Sequence, residues 1–194
     1  ESLAEAGTNQ AFNPRLLGEI ATGYIVLGDF DTAYGTLSRT VYSAQEIADE
    51  GWLSIELSII IPLFLYFGDD PIVQDGLEQV LSVVRNFEEP LFKSRTLNAV
   101  ASIYRDIGDE EKSNSILCEN LETAITQIED AYFQAESLTG VLSVYSEFDS
   151  LKLSEACIPE ISELASSIQD PEEQSFLSHK SEVFRSLALT YLNM

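Results

Sequence analysis

The chain has 194 residues, 45% of them hydrophobic and 22% charged, which supports one hydrophobic core without staples and excludes intrinsic disorder. Ten Lys and Arg stand against 33 Asp and Glu, a formal net charge of -23, so the surface repels phosphate backbones and anionic head groups; nucleic acid and membrane surfaces are set aside as partners. The longest apolar run, Ile59 to Phe67, spans nine residues and contains Pro62, against the roughly 20 needed to cross a bilayer.

Residues 1–12 read as an N-terminal tail. Apolar residues at helical spacing then predict helices near 14–27, 30–49, 52–67, 71–87, 90–107, 110–128, 131–147, 150–168 and 172–192. Proline at the first helical position marks several starts, in Asn13-Pro14, Glu89-Pro90 and Asp170-Pro171. Pro62 and Pro159 fall inside predicted helices, and a kink is expected at each. No alternating β-type run competes with this reading.

The elements repeat. Gly28-Asp29, Gly68-Asp69 and Gly108-Asp109 are spaced 40 residues apart, and an aromatic precedes each glycine by four: Tyr24, Phe64 and Tyr104. A fourth aromatic, Tyr145, follows 41 residues on, with Phe148-Asp149-Ser150 in place of the Gly-Asp turn. The glycine can adopt positive φ and end one helix, and the aspartate can cap the next. A single domain of four helix hairpins is expected, near 14–50, 52–89, 90–129 and 131–169, closed by a terminal helix over 171–194.

These residues resemble the tetratricopeptide family, whose unit carries a large residue at position 4, small residues at 8, 20 and 27, and an aromatic at 11. Leu17, Ala21, Tyr24, Ala33, Leu37 and Thr40 fit the first unit; Leu97, Ala101, Tyr104, Ser113, Leu117 and Asn120 fit the third. The period is 40 rather than 34, the family's proline near the end of the unit is missing, and Ile61 and Leu142 stand where small residues belong. The additional residues, about 9 Å of helix, are expected in the second helix of each unit. The resemblance implies an all-α, right-handed solenoid of antiparallel hairpins; HEAT-type repeats share the 40-residue spacing and are the alternative.

By the same resemblance, positions 2, 5, 9, 12 and 13 of each first helix line a concave face. They correspond here to a partner-binding set of Arg15, Ile25, Ser58, Leu65, Tyr66, Arg95, Asn98, Ser102, Arg105, Thr139 and Arg185, with Val26 and Ile55 beside them. Four of the six arginines fall on this face, and a guanidinium fork suits a carboxylate, so an acidic peptide or a C-terminal carboxylate is the expected ligand. The same arginines could instead pair with Glu136, Glu147, Glu182 or Asp106 and tie neighbouring helices together.

No enzyme is expected. His179 is the one histidine, and no HExxH, GxSxG or GxxxxGK motif occurs. Acid pairs such as Glu110-Glu111 suit helix starts, and Asp29-Phe30-Asp31 lacks the further oxygen ligands of an EF-hand, so no cofactor or metal is expected. Cys118 and Cys157 read as buried, reduced thiols. The expected function is a protein–protein interaction scaffold, with a structural or oligomer-building element as the alternative. The opening at Glu1 leaves the compartment open between cytoplasm and export.

Overall fold

A computed structural model describes residues 14–68 and 70–145. Every regular element there is helical, so the described part of the chain is all-α: α1 (Pro14–Leu27), α2 (Phe30–Ala44), α3 (Glu50–Ile60), a 3-10 segment (Ile61–Phe67), α4 (Pro71–Val84), α5 (Pro90–Asp106), α6 (Glu110–Thr126) and α7 (Ala131–Tyr145). The helices expected over 150–168 and 172–192, with Cys157, Pro159, His179 and Arg185, lie outside the described residues. The chain divides into two compact units, Glu1–Phe87 and Glu88–Met194.

The Gly-Asp turns at Gly28 and Gly108 have one geometry. At Gly28 (φ 76°) the amide donates to Ile25 O at 3.0 Å, and Asp29 N donates to Tyr24 O at 3.0 Å. At Gly108 (φ 84°) the amide donates to Arg105 O, and Asp109 N donates to Tyr104 O, both at 2.8 Å. This paired closure satisfies carbonyls that the helix end orphans, and it requires the left-handed glycine. Asp29 Oδ1 then accepts from Thr32 N at 3.2 Å, and Asp109 Oδ1 from Lys112 N at 3.0 Å, capping α2 and α6. Asp109→Ala is expected to cost about 1 kcal/mol, read as a shift in the urea unfolding midpoint.

The second turn differs in its cap. Gly68 keeps positive φ (64°), and the cap of the next helix is Asp70, two residues after the glycine, which accepts from Ile72 N at 3.0 Å. Pro71 explains the displacement. It fits the first helical position, where an N–H is dispensable, and holds the residue before it in extended backbone (Asp70 φ −61°, ψ 135°). Asp49 caps α3 through Trp52 N at 2.8 Å, and Asp130 caps the start of α7 through Tyr132 N at 2.9 Å. Part of the acidic composition is thus helix-start chemistry.

In the first unit α1 packs on α2 and on α3, and α2 packs on α4. Ala21 and Ala33 are fully buried, so the α1–α2 hairpin closes on small side chains. The second hairpin has Ile61 and Val73 at the matching places, both fully buried, and finds its room elsewhere. Pro62 has no N–H to continue the helix and crowds the carbonyl one turn back. Instead of a kinked α-helix the chain tightens into the 3-10 segment, which carries Phe64 inward onto Gly76. A Cβ built on Gly76 would lie 2.2 Å from Phe64 Cε1, so the ring fills the space the glycine leaves. At the segment's end Phe67 stacks edge-on against Phe30 and Tyr34, with ring centroids 5.9 and 6.2 Å away.

In the second unit α5 packs on α6, and α7 packs on both. The aromatic Tyr104 and the leucines Leu97 and Leu117 are fully buried, and Ser113 at a small position donates to Ala101 O at 2.6 Å inside the hairpin. A buried amide completes the packing. Asn120 Nδ2 donates to Ser94 O at 3.1 Å and to Asn98 Oδ1 at 2.7 Å, while Asn98 in turn fills the space above Gly140 of α7.

Two further expectations need correction. The second helix of the first hairpin is 15 residues and stops at Ala44, because the amides of Gln45, Glu46 and Ile47 turn back to carbonyls three residues earlier. The additional residues of the long period therefore go into the loop before Asp49 rather than into a longer helix there. Cys118 is exposed, not buried, with Sγ 3.6 Å from Tyr145 Oη.

Candidate binding surface

Side-chain exposure is unevenly distributed. In α3 the residues Leu53, Leu57 and Ile60 are buried at helical spacing, as an amphipathic helix requires. Its opposite stripe, however, is also apolar: Trp52, Ile55 and Ile59 are 62, 51 and 40% exposed. Spacings of three and four residues put these three on one face of the helix. Tyr66 (60%) and Leu65 (37%) extend the apolar surface onto the 3-10 segment, and Val26 (81%) is exposed on α1, which packs beside α3. Scattered exposed apolar residues are ordinary, whereas a contiguous row is the signature of a contact surface.

Glu56 stands at the margin of this stripe, four residues after Trp52 and three before Ile59. Its Oε2 is buried and has no hydrogen-bond partner. A carboxylate with one oxygen withdrawn from water and no donor is costly, so a cation pairing with its open side would be favoured.

The expected site residues divide between surface and scaffold. Leu65, Tyr66 and Ser58 are exposed on the first unit, Ser58 Oγ donating to Ile55 O at 2.7 Å. Arg15 is exposed as well, with Nε 4.0 Å from Glu19 Oε1 one turn on. Ile25 does not belong to the surface: it is 9% exposed, because it continues the buried row Leu17, Ala21, Ile25 at steps of four. In the second unit the arginines already hold acids. Arg95 Nε and Nη2 both lie 2.8 Å from Glu136 Oε1, joining α5 to α7. Arg105 Nη2 is 2.7 Å from Asp106 Oδ1 and donates to Ser102 Oγ at 3.1 Å. Asn98 serves the buried amide pair, Thr139 is half-buried on α7, and Arg185 lies outside the described residues.

Trp52, Glu56 and Ile59 were missed by the repeat register, which marks five positions per helix and passes over these. The signal was in the sequence all the same, since α3 is apolar on two faces and its outer face had to point somewhere. The run Glu50–Phe67 even reaches 18 residues at mean hydropathy 1.4, enough by length and composition for a minimal membrane span, with a third of it buried in the fold. A separate cleft of about 400 Å³ lies in the first unit, lined by residues such as Ile47, Leu53, Val83 and Phe87. Among the described residues no group of three His, Cys, Asp or Glu side chains converges as a metal site requires. No protein-family model, curated protein or solved structure matches the chain.

Proposed function

We propose that the chain is a tetratricopeptide-like α-solenoid that binds a partner protein or peptide along the inner faces of its first helices. The recurrence of one turn geometry at Gly28 and Gly108, and the packing of α1 on α3 and of α5 on α7, support the solenoid reading. The single observation that carries the binding reading is the exposed row Trp52, Ile55 and Ile59 with Tyr66 beyond it. Large aromatic and aliphatic side chains of this kind are the anchors on which interfaces concentrate their affinity. Recognition of a carboxylate by Arg95 and Arg105 is a weaker part of this reading, since the ligand would have to displace Glu136 and Asp106 from them.

A second reading, an oligomer-building element, is favoured by a different face. Leu16, Ile20 and Leu27 of α1 are 54, 41 and 79% exposed, whereas Thr96 and Val100, the counterparts of the first two at eighty residues' distance, are buried.

Capture from cells of the source organism, with three double variants beside the wild type, tests both. Ile55→Ser/Tyr66→Ser is expected to lose the partner by at least about tenfold while keeping its helical signal. Arg95→Glu/Arg105→Glu is expected to retain it. A partner held equally by wild type and by the Ile55/Tyr66 variant counts against the reading. A sedimentation mass that falls only in Leu16→Ser/Ile20→Ser would establish the oligomer instead.

A further inference from the structure

Resting on the binding reading above, we infer that the partner segment for the α3 face is cationic, an apolar peptide bearing a Lys or Arg that pairs with Glu56. Three observations converge on this. The face offers apolar anchors in Trp52, Ile55 and Ile59. Glu56, at the edge of those anchors, is half-buried with one carboxylate oxygen enclosed and without a donor, so an ammonium or guanidinium brought to the open side of that carboxylate would be favoured. The charge of the first unit has the matching sign: its described residues, 14–68 and 70–87, carry ten Asp and Glu against three Arg and no Lys. An acidic or C-terminal carboxylate segment would approach this field against repulsion, while a basic one is drawn to it.

The cation and the apolar anchors do different work. Net charge alone would attract any polycation weakly and without position. An apolar face alone would accept any greasy segment. Glu56 links the two, because its half-buried carboxylate favours one positive group at one register of the ligand. Arg15 shares α1 with Val26 but lies toward Glu19, 4.0 Å away.

The test is a peptide-display selection on the full chain, counter-selected on Ile55→Ser/Tyr66→Ser. Lys or Arg set among large apolar residues is the expected consensus of the peptides that discriminate between the two. Against Glu56→Gln, which is isosteric, the selected peptide is expected to bind at least about tenfold more weakly, as loss of a charge-assisted bond implies. Replacing the peptide's own cation by glutamine should give a matching loss with the protein untouched, which separates recognition from misfolding. Discriminating peptides that are acidic or uncharged, or a Glu56→Gln affinity equal to wild type, would overturn the cationic assignment and leave the binding face standing. If no peptide discriminates between wild type and the Ile55/Tyr66 variant, the binding face itself fails. Binding to phosphatidylcholine vesicles that Ile55→Ser/Tyr66→Ser abolishes would replace the peptide by a lipid surface and overturn the inference.

Discussion

Phe64→Ala is expected to destabilise the protein by about 3–5 kcal/mol, the cost of emptying a fully buried aromatic site. Gly76→Ala, a change of one methyl group, is expected to cost about 1–3 kcal/mol by overpacking. The two are coupled through one contact: the added Cβ would sit 2.2 Å from Phe64 Cε1, and the ring is fully buried with nowhere to retreat. The double variant should therefore cost clearly less than the two single changes together, because removing the ring removes the clash. Urea unfolding followed by circular dichroism, completed as a double-mutant cycle, measures this. Strict additivity would mean that the ring and the glycine do not share the space described.

Asn120→Ala is expected to cost about 2 kcal/mol, more than an ordinary truncation of a polar residue. Asn120 is fully buried, and both of its donated bonds cross from α6 to α5, to Ser94 O and Asn98 Oδ1. Its loss leaves Asn98 Oδ1 without that donor and frees the side chain that fills the space above Gly140. The effect should reach α7, seen as faster amide exchange around Gly140. A change confined to α6 would show that the amide pair is local and does not organise the α5–α7 contact.

Much of the helical layout was legible because it rests on strong local rules. Glycine at positive φ followed by a capping aspartate fixes two of the turns with nearly identical bonds, and proline marks the starts of α1 and α5. The places where the reading slipped have identifiable causes. At the second turn Pro71 took the first helical position and drew the cap to Asp70, a competition between two start signals that spacing alone did not rank. At Pro62 the expected kink became a 3-10 segment, since Gly76 had vacated the room into which Phe64 could turn. Ile25 was assigned to a surface by family register, while its four-residue spacing from Ala21 and Leu17 placed it in the core.

The binding surface was legible only in part. Leu65, Tyr66 and Ser58 were named from the register and are exposed; Trp52 and Ile59 required knowing which stripe of a doubly apolar helix the fold covers. Arg95 and Arg105 show the reverse case. Their segregation in an acidic chain suggested a ligand, yet each arginine has an acid within 3 Å, Glu136 and Asp106. An exposed pair such as Arg95–Glu136 contributes little stability, about 0–1 kcal/mol, so its value lies in orienting side chains rather than in holding the fold. Glu56 was invisible at the sequence level because nothing in a row of letters distinguishes a carboxylate with a partner from one without.

The most direct test of the central claim, that the α3 face of the first unit is the recognition surface, is site-specific photo-crosslinking in cells of the source organism. A benzophenone side chain is placed at Ile55 in one chain and at Glu122, exposed on α6, in another. The account predicts a discrete adduct from position 55, competed away by the peptide selected on that face, and none from position 122. Adducts of equal yield from both positions, or none from position 55, would contradict it.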